Sequence, residues 1–285
     1  MNNDLFHHSD DRIDSHQHFW RYHPVKDAWI TDDMQVIQRD FLPDDLQPVL
    51  TANGITGCVA VQADQSEAET DWLLQLAGAY PFIKGVVGWV DLRAEHIRER
   101  LLHYKQFPLL KGFRHIVQAE PDPAFLLGKE FLRGIAALQD FGFTYDILVL
   151  STQLPAVVSF VAQCPAQKLV VDHLAKPAIR SGDIHEWAND MRQLGRHPHV
   201  YCKVSGMVTE ADWQGWHADD LRPYLDVVFE AFGPERLLFG SDWPVCLVAA
   251  QYAEWCALLE DYMQGLTFAE KRMVWGGNAK QFYNL

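Results

Sequence analysis

Two histidines one residue apart, His16 and His18, lie in the short run Ile13-Asp14-Ser15-His16-Gln17-His18-Phe19. In an extended strand, side chains two apart share a face and stand about 7 Å from each other along the chain. Both imidazoles therefore face one way and can converge on a metal or on a single substrate atom, or serve as a hydrogen-bonded structural pair. A third histidine, His173, follows the apolar run Leu169-Val170-Val171-Asp172, and Pro177 stops that segment with His173 and Lys176 at its end. Asp242 closes another apolar run, Leu237-Leu238-Phe239-Gly240-Ser241. A carboxylate in such a place costs several kcal/mol unless it is paired, ligated or used. Three imidazoles and a carboxylate are the groups that general acid–base catalysis or a divalent ion requires. Taken singly, each also has an ordinary structural use, as a hydrogen-bonded core histidine or an ion-paired aspartate.

Other short apolar runs carry polar groups: Trp89 and Asp91, then Lys111, Arg114 and His115, then Asp146, then Lys203 and Ser205. Together with Lys176 and the aromatic Trp20 they point to a hydroxyl-rich ligand held by several hydrogen bonds among aromatic walls. The candidate ligand contacts are Arg114, His115, Lys203, Lys176, Trp20, Trp89 and Asp146.

These residues need a scaffold that brings distant strand ends together. Eight apolar, β-branched runs recur along the chain: Ile13–Phe19, Ile55–Ala63, Phe82–Leu92, Leu110–Val117, Phe143–Leu150, Lys168–Leu174, Val200–Met207 and Arg236–Val245. Their starts are 25 to 42 residues apart, room for one strand and one helix each time. This alternation predicts βα units and a parallel sheet. The intervening segments carry helical signals. Ser66-x-x-Glu69 and Thr267-x-x-Glu270 read as capping boxes, and Leu221, Leu225, Val228, Phe229 and Phe232 form an apolar stripe ended by Gly233-Pro234. Nothing in the composition divides the chain, so eight units predict one closed α/β (β/α)₈ TIM barrel over residues 12–285, with residues 1–11 as a tail. Catalytic groups of such barrels gather at the C-terminal ends of the strands. The stretch Trp20–Pro43 is longer than an ordinary βα loop and rich in aromatics, including Trp29, so it is expected to wall a pocket there.

The 285 residues carry a formal net charge of −14. With no long Lys/Arg cluster, this acidity argues against nucleic acid or an anionic membrane surface as partner. The composition, 48% hydrophobic and 22% charged, is that of a folded globular chain. Five cysteines without C-x₂-C spacing read as reduced, mostly buried thiols rather than a disulfide frame or structural zinc site. No apolar run approaches the roughly 20 residues that cross a bilayer, and no signal-peptide stretch opens the chain. A cytoplasmic protein is expected.

The wording of the strand ends is more specific than their types. Asp14-Ser-His-Gln-His-Phe-Trp20, Lys111-Gly-Phe-Arg-His115, Asp172-His-Leu-Ala-Lys-Pro177, Lys203-Val-Ser-Gly206 and Gly240-Ser-Asp-Trp-Pro244 closely resemble the sugar-lactonase branch of the amidohydrolase superfamily. That branch includes L-fuconolactonases, L-rhamnonolactonases and a pyrone-dicarboxylate lactonase. The resemblance implies a (β/α)₈ barrel that hydrolyses a lactone C–O bond, with an aldonolactone such as L-fuconolactone as substrate. It assigns His16, His18, His173 and Asp242 to the centre, Asp242 and His173 as catalytic groups, and contact roles to Arg114 and Lys203. It leaves open one divalent ion, Zn²⁺, on His16, His18, His173 and Asp242, or chemistry without metal. The chain departs from the wider superfamily at the fifth strand, where Tyr145 and Asp146 replace a histidine. Lys111, at the start of the fourth strand, is badly placed to become a bridging carbamate, so a binuclear centre is not expected. Two rival readings are decarboxylation of a small aromatic or unsaturated acid on the same scaffold and a non-catalytic sugar-binding barrel.

Overall fold

The computed structural model describes residues 12–285; the tail expected at residues 1–11 lies outside them. Eight strands form one parallel sheet in sequence order: β1 (Ile13–Gln17), β2 (Gly57–Val61), β3 (Ile83–Gly88), β4 (Leu110–Ile116), β5 (Thr144–Leu148), β6 (Leu169–Val171), β7 (Val200–Val204) and β8 (Leu237–Phe239). Just beyond these strands β8 meets β1. Gln17 bridges Trp243 in parallel, the Asp242 amide donates to the His16 carbonyl at 2.8 Å, and the His18 amide to the Trp243 carbonyl at 2.7 Å. These bonds complete the (β/α)₈ barrel. A helix follows each strand, from Pro43–Ala52 after β1 to Tyr252–Tyr262 after β8.

Every strand falls inside its predicted run, and most stop short at the C-terminal end. β8 is the clearest case, three residues long, because Gly240–Pro244 leave the ladder to carry Asp242. The helix 218–232 buries Leu221, Leu225, Val228 and Phe232 and ends at Gly233, as its stripe requires. Thr267 and Glu270 make the full capping box. Ser66 makes only half of one: its hydroxyl accepts from the Glu69 amide, while the Glu69 carboxylate turns away to accept from the amides of Ala63 and Asp64.

Two apolar layers hold the barrel. One lies between strands and helices. The other fills the barrel interior with Val59, Val61, Val87, Val170 and Leu238, and is plugged by Phe282 and Tyr283 of the last helix, Asn278–Tyr283. The long β1 loop is pinched at its base, where Trp20 and Phe41 exchange backbone hydrogen bonds of 3.0 Å each. All five cysteines are unpaired, four of them buried. Among the described residues no helix is long and apolar enough to cross a membrane.

Candidate active site

The C-terminal strand ends open on a cavity of about 410 Å³ whose lining includes His18, His173, Asp242 and Arg114, a volume suited to a small ligand. β1 places His16 and His18 side by side, their Nε2 atoms 3.2 Å apart. Asp242 stands over them, with Oδ1 3.3 Å from His18 Nε2 and 3.8 Å from the Nε2 atoms of His16 and His173. No hydrogen bond among the described residues takes its other oxygen, Oδ2.

Each group is oriented from behind. His18 Nδ1–H donates to the Val61 carbonyl at 2.8 Å, which leaves its Nε2 lone pair facing the cluster. His173 Nδ1 meets the Ser205 hydroxyl at 2.9 Å. Gly206, at φ 64°, lies so close to this ring that a Cβ there would sit 2.6 Å from Nδ1. Gly240 makes the same allowance for His16, whose Cβ would be 2.9 Å from any Cβ at 240. His173, Leu174, Ala175 and Lys176 all have φ between 48° and 56°, one turn of left-handed backbone, and Asp242 has φ 57°. Strain of this kind collects at functional sites.

Below the cavity a charged group is sealed in the barrel. Lys203 Nζ lies 2.9 Å from Asp172 Oδ1 and 3.0 Å from His16 Nδ1, and it donates to Asp146. Tyr283 OH donates to the same Asp146 oxygen at 2.7 Å. Arg114 Nη1 reaches Asp172 Oδ2 at 3.2 Å and His16 Nε2 at 3.3 Å, and its other terminal nitrogen donates to the Gln62 carbonyl.

Burial, reinforced by the Lys203 ammonium, holds His16 well below the ordinary histidine range. Burial lowers His173 to about 4. Both imidazoles are thus neutral near pH 7. Burial pushes Asp242 upward, but His173, His18 and His16 outweigh it and keep the carboxyl well below its usual range. Asp172 is likewise held low, because Lys203, His16 and Arg114 overcome its desolvation. Burial raises Asp146 to about 6 against the pull of Lys203.

The donor set fits one divalent ion. His16, His18 and Asp242 bring one ligand atom each within 4.8 Å of one another, and their Nε2 and Oδ1 separations of 3.2, 3.3 and 3.8 Å bracket the roughly 3.4 Å edge of a tetrahedron with bonds of about 2.1 Å. Neutral imidazoles with one carboxylate are a donor set that suits zinc. A second group, His16, Asp172 and His173, also brings ligand atoms within 4.8 Å of one another.

The structure thus gathers His16, His18, His173, Asp242, Arg114 and Lys176 at one mouth or directly beneath it. Lys203 and Asp146 lie under that mouth, fully buried and paired with each other. His115 does not reach it. It turns to the helix side, stacks on Phe125 and bonds Glu120 at 2.7 Å, and Trp89 donates to its other nitrogen. Trp20 is buried under its own loop, next to Trp29 and His18. Trp29 and Met34 of that loop do wall the cavity. Lys111 bonds the Asn284 carbonyl at the start of β4.

Sequence reasoning missed Asp172, although it adjoins His173 at the same strand end. It also missed Asp14, which clamps β1 to β8 through Ser241 and the Tyr252 hydroxyl, and Glu210, which nothing in the pattern marked.

A closed βα barrel with an His-x-His strand, a histidine at the sixth strand end and an aspartate at the eighth defines a barrel hydrolase of the amidohydrolase type. The chain belongs to the amidohydrolase family, which it matches over residues 13–285. It is 46% identical to an L-fucono-1,5-lactonase of Burkholderia multivorans and 36% identical to one of Burkholderia ambifaria, each match covering 96% of both chains. A crystal structure of an amidohydrolase from Burkholderia multivorans with bound zinc superposes with a TM-score of 0.93 at 46% identity, over 96% of this chain and 99% of that one.

Proposed function

We propose that this enzyme hydrolyses a neutral sugar lactone, L-fucono-1,5-lactone or a similar deoxy-sugar lactone, to the open-chain aldonic acid. The observation that carries the proposal is the meeting of Asp242, His18 and His173 at a cavity whose two cations are already neutralised. Arg114 pairs with Asp172 and Lys176 with Glu210. A neutral ring suits such a pocket. Decarboxylation of an acid would need unpaired cations to hold the carboxylate, and the described residues lining the cavity offer none. The two L-fucono-1,5-lactonase relatives support the same choice.

In this reading Asp242 Oδ2 accepts a proton from a water as its oxygen bonds to the lactone carbonyl carbon. A positioned base of this kind contributes roughly 10²–10⁴-fold. The carbonyl π electrons move onto oxygen, where the Arg114 guanidinium and His173 Nε2–H donate to the growing charge, usually the largest single contribution. The tetrahedral species then collapses. The ring C–O bond breaks, the departing oxygen takes the proton back from Asp242, and the new carboxylic acid ionises into solvent. Ser205 and the His173 turn keep the imidazole aimed, while Lys203 and Asp172 fix His16. Zn²⁺, were it held by His16, His18, His173 and Asp242, would supply Lewis-acid polarisation of the carbonyl in place of the His173 N–H.

The test is proton release from a panel of aldonolactones, before and after chelation and after adding Zn²⁺. Rapid hydrolysis of one deoxy-sugar lactone is expected. Activity that survives chelation assigns the chemistry to Asp242 and His173 alone, and loss that Zn²⁺ restores puts the ion in the cluster. Silence across the panel, zinc-loaded samples included, overturns the proposal.

A further inference from the structure

The same cavity carries an ion pair that hydrolysis does not use. Lys176 Nζ lies 3.1 Å from Glu210 Oε1, with the side chains 22% and 24% exposed, and both line the cavity beside Trp213. Two neighbouring strand ends are shaped to bring them there. Lys176 closes the left-handed turn that begins at His173, and its amide donates to the His173 carbonyl at 2.7 Å. One strained turn therefore delivers both the imidazole and the ammonium. Glu210 ends the short helix Met207–Glu210, which starts at Gly206, the residue whose missing side chain admits the His173 ring. Among the described residues the pair has no further hydrogen-bonding or charged partner, so Glu210 Oε2 and the remaining ammonium protons are left for a ligand.

We infer that Lys176 and Glu210 read the substrate's hydroxyls as one charge-balanced pair, and that Glu210 also keeps the pocket from retaining the anionic product. The inference rests on the lactonase reading above. A hydroxyl both donates and accepts, so one of two adjacent ring hydroxyls donates to Glu210 while its neighbour accepts from Lys176. A ring without them leaves two charges poorly satisfied in the cavity, the situation that discriminates most strongly against a deoxygenated analogue. Charge supplies the second half. The lactone is neutral and its product is a carboxylate. Removing the charge of Glu210 leaves Lys176 unpaired, and the ammonium then attracts that carboxylate.

Glu210→Gln and Lys176→Met are compared with the unaltered enzyme on L-fucono-1,5-lactone and on δ-valerolactone, which has no hydroxyls. Binding of L-fuconate is followed by tryptophan fluorescence, Trp29 and Trp213 both lining the cavity. The ratio of kcat/KM for the hydroxylated over the bare lactone falls about 10- to 100-fold in either variant, the worth of a hydrogen bond to a charged group. L-Fuconate binds about three- to tenfold more tightly to Glu210→Gln and more weakly to Lys176→Met. A plain structural bridge would not give opposite signs. An unchanged ratio, or weaker L-fuconate binding in both variants, overturns the inference. If the unaltered enzyme hydrolyses no lactone, the lactonase reading falls. The two changes in L-fuconate binding then decide only whether Lys176 and Glu210 act on a bound carboxylate as a charge-balanced pair.

Discussion

His115 stands beside Arg114 near the end of β4, and His173 follows the apolar stretch of β6 beside Asp172. In the sequence the two positions look equivalent. In the fold Arg114 takes the inward place on β4, so alternation sends His115 to the helix layer, against Phe125 and Glu120. β6 stops at Val171, and the left-handed turn at His173 bends the next residues back over the mouth, so Asp172 and His173 both serve the centre. A polar residue near a strand end thus becomes part of a site through its parity and the backbone after it, not through its type alone.

Substitutions that break this difference should be felt in proportion to how deeply each group is built in. Lys203→Met leaves Asp146 and Asp172 without their shared ammonium inside the barrel. We expect a loss of about 3–5 kcal/mol in urea unfolding, and a loss under about 1 kcal/mol would mean the two carboxylates do not depend on it. Gly206→Ala puts a side chain at positive φ and against the His173 ring. It should cost about 1–3 kcal/mol of stability and lower kcat/KM by at least about tenfold; unaltered kinetics would show that the ring's position is not critical. His115→Phe has the smallest expected effect. It removes hydrogen bonds to Glu120 and Trp89 worth about 1 kcal/mol and should leave kcat/KM within about twofold, since the ring lies outside the cavity. A tenfold fall in kcat/KM would place His115 in the reaction after all.

The barrel was legible because its signal is repeated: eight β-branched runs at helix-sized intervals match β1 to β8 one for one. His16 and His18 were legible because a period of two is a local rule, and Asp242 because an aspartate after Leu237-Leu238-Phe239 demands a partner. Asp172, Lys203 and Asp146 could not be assigned to one buried network, since that depends on which faces of β5, β6 and β7 turn inward and on Tyr283 entering from the last helix. Glu210 was hidden for a related reason. It belongs to the cavity only because Gly206 turns the chain there at φ 64°.

The central claim is that Asp242, carried past the end of β8, is the base of a lactone hydrolysis. Its most direct test is proton release from L-fucono-1,5-lactone by Asp242→Asn beside the unaltered enzyme, with urea unfolding of both. The account predicts a fall in kcat of about 10²–10⁴-fold with the fold retained. Near-normal turnover by a folded Asp242→Asn would contradict it.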